Sequence, residues 1–290
     1  MLMKKILVGV ATLLNAILLA ALYNEGIIVQ RDSPQRFYHP REKKDKTTVD
    51  DSLKLRDLLK DHDCLKPFPK PILGSNSNKH EFKRILNMGM PKCGSTSLEY
   101  LFSQSIGKGN VSHWECSGHG YCGVCMRNIM VADESNNGTG LLEACGNFQF
   151  FAQMDYVSKK TCIFPQIEYL DRLYQDSPDA MWLLPFRNTT DCLRSATKWG
   201  NEKLGSLANR FATSCGWKEF SLDNKNRDDE IIQFICKHVR NVREFVINHP
   251  SLSLIEFDIY DEKSGEYLAE SIPTLNASNW GQQNKNDKII

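Results

Sequence analysis

The chain has 290 residues, 41% of them hydrophobic and 24% charged, with a formal net charge of +1. That length suits one sizeable α/β domain with an appendage and leaves little room for two full domains, and the apolar content excludes wholesale disorder. Near-neutrality excludes a general nucleic-acid binder, which carries a basic excess, so any polyanion site must be a local patch.

In chain order the first feature is Ile6 to Tyr23, 18 residues without a charge, preceded by Lys4 and Lys5. A bilayer-spanning helix takes about 20 apolar residues, and the apolar core of a signal peptide about 7 to 15. The pattern predicts a transmembrane signal anchor over 6–23, with a cleaved signal peptide ending near Ala20-Ala21 as the rival. Lysines on the N-terminal flank leave residues 1–5 cytosolic and the remainder lumenal. Ten cysteines and four Asn-x-Ser/Thr tripeptides, at Asn110, Asn137, Asn188 and Asn276, agree with an oxidising, glycosylating compartment.

Residues 24–79 turn polar, charged and proline-rich, as in Arg41-Glu-Lys-Lys-Asp-Lys46 and Lys66-Pro-Phe-Pro-Lys-Pro71. They read as a stem with little fixed structure beyond a short helix near 51–61. A lumenal domain then spans 80–290. Strands are predicted at 84–90, 148–154, 181–186 and 252–257, and helices at 95–104, 167–175, 190–199 and 228–248. This alternation predicts a three-layer α/β domain with a central parallel sheet. In the last helix Ile231, Ile232, Ile235, Val239, Val242 and Val246 recur at helical spacing and form a core face.

Two segments carry chemistry. Gly89-Met-Pro-Lys-Cys-Gly-Ser-Thr-Ser97 stands between the first strand and helix, where backbone N–H groups and a helix N-terminus favour a phosphate. Its lysine precedes the glycine, so it lacks the Gly-Lys-Ser/Thr of nucleotide triphosphatases. Leu184-Pro-Phe-Arg-Asn-Thr-Thr-Asp-Cys-Leu-Arg-Ser-Ala196 likewise follows a strand and opens a helix, with Arg187 at the strand end and Ser195 eight residues on. A guanidinium fork and a hydroxyl suit a second phosphate.

The first segment resembles the 5′-phosphosulfate loop, and the second the 3′-phosphate motif, of the P-loop sulfotransferase superfamily. The resemblance covers about residue 84 to the C-terminus, with Thr189 standing where the family usually has proline. Phe164-Pro-Gln-Ile-Glu-Tyr-Leu170 and Trp280-Gly-Gln-Gln-Asn284 are more loosely similar to Golgi-type members. It implies a sulfuryl transfer from 3′-phosphoadenosine 5′-phosphosulfate (PAPS) to a hydroxyl or amine, with a glycan or other lumenal acceptor, no nucleic acid and no metal. It places the chain in the Golgi membrane as a single-pass type II protein. Pro91, Lys92, Cys93, Gly94, Ser95, Thr96 and Ser97 would hold the 5′ end of the donor, Arg187 and Ser195 its 3′-phosphate, and Lys92 would stabilise the departing phosphate.

The acceptor proton needs a base. The segment following the loop helix in the heparan type maps onto His113-Trp-Glu115, so Glu115 is the first candidate and His113 the second, with Asp155 and Glu143 behind them. Two other readings remain: a nucleotide kinase on a related loop, which the absent Gly-Lys-Ser/Thr and magnesium aspartate disfavour, and a silent lumenal binding protein, which the presence of Lys92 and Arg187 disfavours. In His113-x-x-Cys116-x-x-His119-x-x-Cys122-x-x-Cys125, disulfides involving Cys116, Cys122, Cys125 and Cys145 are expected, with zinc as the alternative. Cys93 and Cys192 are expected to stay free. Trp199, Trp217 and Trp280 either stack on adenine or sugar or serve as core.

Overall fold

The computed structural model describes residues 63–75, 82–116, 118–133, 140–201, 205–215 and 227–281. The predicted anchor over 6–23 and the predicted helix near 51–61 lie outside the described residues, among which no helix is long and apolar enough to cross a membrane.

Five strands form one sheet: β1 (Ile85–Asn87), β2 (Val111–Ser112), β3 (Phe150–Phe151), β4 (Met181–Phe186) and β5 (Ser253–Asp258). Their order is β5-β4-β1-β3-β2, and every pairing is parallel. The four predicted strands are present, β1 and β3 shorter than expected, β4 over the predicted residues and β5 displaced by one residue. β2, unpredicted, closes one edge by pairing Val111 with Phe150 and Ser112 with Phe151. Near-continuous apolar runs such as Met181-Trp-Leu-Leu-Pro-Phe186, buried throughout, are what a parallel sheet covered on both faces requires.

Six helices matter to the packing: α1 (Ser95–Ile106), α2 (Cys122–Asp133), α3 (Thr189–Lys198), α4 (Leu207–Thr213), α5 (Arg227–Asn248) and α6 (Ser264–Ser271). Successive strand residues point to opposite faces. Ile85, Phe150, Met181, Leu183, Ile255 and Phe257 therefore pack against Leu98, Leu101 and Phe102 of α1 and Leu268 of α6. Leu86, Phe151, Trp182, Leu184 and Leu254 pack on the other face against Met126 of α2 and Val239, Val242 and Val246 of α5. The core face read from α5's spacing is thus the face that meets the sheet, although Ile232 and Ile235 are only half-buried.

All ten cysteines are paired: Cys64–Cys236, Cys93–Cys192, Cys116–Cys122, Cys125–Cys145 and Cys162–Cys215. The expected disulfides around 116–145 are there, and their sulfurs, bonded to each other, carry no thiolate to ligate zinc. Cys93 and Cys192, expected to stay free, are bonded to each other instead. β1 and β4 are adjacent parallel strands, so the residues that follow their carboxyl ends are neighbours, and the two Cα atoms stand 5.5 Å apart.

Residues 63–75 fall within the segment read as stem and are nevertheless packed on the domain, so the fold begins before residue 80. Ile72 exchanges backbone hydrogen bonds with Leu254 of β5, and Cys64 is bonded to α5 through Cys236. At the centre is Arg243 of α5, wholly buried. Its Nε and Nη2 each donate to a Glu256 carboxylate oxygen at 2.8 Å. Its Nη2 also donates to the Lys66 carbonyl at 2.7 Å, and its guanidinium lies 4.1 Å from the Phe68 ring centre. The Phe68 N–H in turn donates to Glu256 Oε2 at 2.8 Å.

Removing one partner of such a buried pair strands the other charge, at a cost of about 3–5 kcal/mol. Arg243→Leu is expected to lose that much stability in denaturant unfolding with the disulfides intact, and Glu256→Gln a comparable amount, because it leaves the Arg243 guanidinium buried without a counter-charge and turns an amide NH2 towards donors that both carboxylate oxygens now accept from.

Candidate functional site

The carboxyl ends of all five strands lie along one edge of a parallel sheet, where ligands of open α/β sheets bind. After β1 the chain enters the loop 89–97 and then α1. Asn87 sets the loop's start: its Nδ2 donates to the Ala152 carbonyl at 2.6 Å and its Oδ1 accepts from the Gly89 N–H at 2.9 Å. A Cβ at Gly89 would stand 2.6 Å from the Pro185 ring. The buried His238 donates from Nε2 to the Met88 carbonyl at 2.6 Å, and burial lowers its pKa, keeping it neutral.

Lys92 takes a left-handed backbone, φ 70°, and Gly94, the N-cap of α1, takes φ 116°. Alternation of this kind turns successive N–H groups into a concave anion cradle. α1 has no side-chain cap, so its first N–H groups face the same way without an intrahelical acceptor. A left-handed lysine costs about 1–3 kcal/mol of backbone strain.

Arg187, directly after β4, reaches across to this loop. Its Nη1 donates to the Lys92 carbonyl at 2.7 Å and its Nε to the Tyr260 hydroxyl at 3.0 Å. Tyr260, after β5, donates to Asp191 Oδ2 at 2.7 Å, and Asp191 also pairs with Arg194 at 3.0 Å. The two sequence motifs are therefore joined by a hydrogen bond and by the Cys93–Cys192 bridge. Ser195 lies three residues beyond Cys192 on α3, half-buried. Asn188 caps α3 by accepting from the Thr190 N–H at 3.0 Å.

A second group gathers on the β2 and β3 side. The Ser95 hydroxyl donates to Gln153 Oε1 at 3.1 Å, Gln153 Nε2 donates to Asp155 Oδ2 at 3.1 Å, and His113 Nε2 lies 3.4 Å from Ser95 Oγ. Burial pushes the Asp155 carboxyl up to about 6, with hydrogen bonds from Gln153 and Gln166 and the Lys92 charge pulling the other way. Burial, then the nearby Lys92 ammonium, pull His113 below its ordinary value, so its imidazole is neutral at pH 7. Burial and the Arg187 guanidinium pull Lys92 down, and Asp155 opposes them.

Lys92, Ser95, His113, Asp155 and Arg187 thus form one electrostatically connected group, with Ser195 on the helix beyond. Glu115 is exposed on the short ribbon Glu115–Cys116, paired with Gly120–Tyr121. Trp114 between it and His113 has φ 68°, which turns the chain there. Glu143 is exposed on the turn Leu141–Ala144. Of the tryptophans, Trp199 is at the site, with the Lys92 ammonium 5.5 Å from its ring centre, Trp280 packs on Phe257, and Trp217 lies outside the described residues. Gln153, Tyr260 and Trp114 were not found from the sequence, where nothing distinguishes them from ordinary core or surface residues.

No family model, no curated protein and no solved structure compared with this chain matches it.

The Asp155 shift carries a definite sign. The folded state holds the proton above the unfolded value of 3.8, so it binds more protons than the unfolded state between about pH 4 and 6 and stability falls as pH rises through that window. Asp155→Asn is expected to remove a decline on the order of 3 kcal/mol, read from denaturant unfolding at pH 4 and pH 7.

Proposed function

We propose that the chain is a PAPS-dependent sulfotransferase of P-loop-like fold, acting on a hydroxyl or amine of a glycan acceptor in the Golgi lumen, to which a single-pass type II anchor over 6–23 would confine it. The observation that supports this best is the pairing of two cations, Lys92 and Arg187, across the carboxyl ends of β1 and β4 beside an uncapped helix N-terminus. Among the described residues neither has a carboxylate within ion-pair distance. Mutual repulsion is relieved by an anion with two phosphate groups, which is the chemistry of a 3′,5′-bisphosphorylated nucleoside.

PAPS, when bound, supplies an electrophilic sulfur with 3′-phosphoadenosine 5′-phosphate (PAP) as leaving group. The acceptor oxygen or nitrogen bonds to sulfur while the sulfur–phosphate oxygen bond breaks, and the electron pair leaves with PAP. Lys92 and the loop N–H groups of residues 94–97 meet the charge that builds on that phosphate, inside a partly dehydrated site where a fixed ammonium acts strongly. Arg187, through Nη2, and Ser195 bind the 3′-phosphate, while Tyr260 holds the guanidinium in place. The acceptor proton goes to His113, whose neutral imidazole stands within the Ser95 and Lys92 group. This prefers the second candidate base over Glu115. Asp155, buried and coupled to Lys92, positions that ammonium through charge and positions Ser95 through Gln153.

Calorimetry on the full chain in detergent micelles tests the donor site. PAP is expected to bind at least about tenfold tighter than AMP, with Arg187→Ala abolishing that preference, and a preference for ATP would favour a phosphotransferase instead. With sulfate-labelled PAPS, kcat is expected to fall on the acid side as His113 is protonated, at a pH below the ordinary imidazole range because burial and Lys92 hold its pKa down, and His113→Ala to lose about 100-fold or more in kcat and that acid limb together. An unchanged limb in Glu115→Gln distinguishes the two candidates.

A further inference from the structure

Next to the loop lies an arginine that neither phosphate motif uses. Arg210 of α4 is only 2% exposed. Its Nη1 donates to the Val157 carbonyl at 2.8 Å, while its Nε and Nη2, both fully buried, have no hydrogen-bond partner among the described residues. Leaving two N–H edges of a buried guanidinium unsatisfied costs several kcal/mol, and native folds seldom tolerate it without a use. Burial also lowers its pKa, and no carboxylate among the described residues forms an ion pair with it.

The identity of the unused edge is informative. Nε and Nη2 lie side by side on one rim of the guanidinium and form its planar fork. Arg243 shows what that rim binds in this same protein: its Nε and Nη2 grip the two oxygens of Glu256, each at 2.8 Å. Arg210 presents the same rim with no carboxylate on it among the described residues.

Its surroundings connect it to the reacting groups. The Arg210 guanidinium lies 4.8 Å from the centre of the Trp199 ring, and Lys92 Nζ lies 5.5 Å from that same centre. Trp199, 36% exposed, meets Trp114 edge-on at 6.0 Å. Trp114 continues to Tyr121 at 5.1 Å, and Tyr121 stacks on Tyr156 at 4.7 Å, next to the Val157 that holds Arg210. Aromatic faces beside a cation present a surface for the C–H face of a pyranose ring with the charged group at its rim.

We propose that Arg210 and Trp199 form an acceptor subsite for a carboxylate-bearing sugar, the carboxylate bound through Arg210 Nε and Nη2 and the ring lying against Trp199 and Trp114, which brings a ring hydroxyl towards Lys92 and His113. The inference rests on the sulfotransferase reading for the role of acceptor, while the carboxylate site itself is independent of it.

Two sugars that differ only in that group test it: 4-nitrophenyl β-D-glucuronide and 4-nitrophenyl β-D-xyloside, titrated into the full chain with and without PAP. The glucuronide is expected to bind about tenfold tighter than the xyloside. Arg210→Met and Arg210→Lys, the latter keeping the charge without the fork, are expected to bring the two sugars within about twofold. Equal binding of the two sugars by the unaltered chain, or no binding of either, overturns the proposal without needing any variant to fold. An undiminished glucuronide preference in Arg210→Lys overturns it as well. PAP titrated into the same samples separates the two readings. PAP binding without a glucuronide preference sinks the subsite alone, and a glucuronide preference without PAP binding upholds the subsite while sinking the donor site.

Discussion

A parallel sheet brings the carboxyl end of every strand to the same edge, and the candidate site is a consequence of that geometry. The loop 89–97 follows β1, His113 follows β2, Gln153 and Asp155 follow β3, Arg187 follows β4, and Tyr260 follows β5. No two of these segments are close in sequence. They meet because β1 is central, paired with β3 and β4, so its loop is reached from both sides. The second cation, Arg187, arrives from β4 to join Lys92 of the β1 loop, and the hydrogen-bonded acid and imidazole arrive from β3 and β2. Hence the site is polarised, with the Lys92–Arg187 pair on one flank and the His113–Ser95–Gln153–Asp155 group on the other.

Much of this was legible in the sequence where the signal is local. The strand–turn–helix units at 84–106 and 181–198 announce themselves through apolar runs ending in Gly94 or Arg187, because each is built from contiguous residues whose propensities agree with the final fold. The helical spacing of the six apolar positions in α5 was readable for the same reason. What stayed hidden depends on register. β2 has only two residues and exists because Phe150 and Phe151 offer an edge to pair with, which no window of sequence around Val111 can reveal. The Cys93–Cys192 pairing across 99 residues becomes evident only once β1 and β4 are neighbours.

The choice between Glu115 and His113 illustrates the same division. Sequence places both on the segment after α1, two residues apart, and an extended strand would aim them the same way. The left-handed Trp114 breaks that equivalence: His113 stays with Ser95 and Glu115 joins the surface ribbon. A backbone angle that costs energy at a bulky residue, beside the aromatic group around Trp199, is the type of local strain that clusters at working sites.

The segment 63–75 also determines where the molecule resists pulling. Cys64 is covalently bonded to Cys236 in α5, and Lys66 and Phe68 grip Arg243 and Glu256 before Ile72 reaches the β5 edge. Tension applied from the N-terminal side of residue 63 is therefore carried by a covalent bond into a 22-residue helix, and the weaker Ile72–Leu254 pairing sits downstream, shielded from load. A domain wired in this way can be tugged from its N-terminal side without the force reaching the strand ends that hold the candidate site.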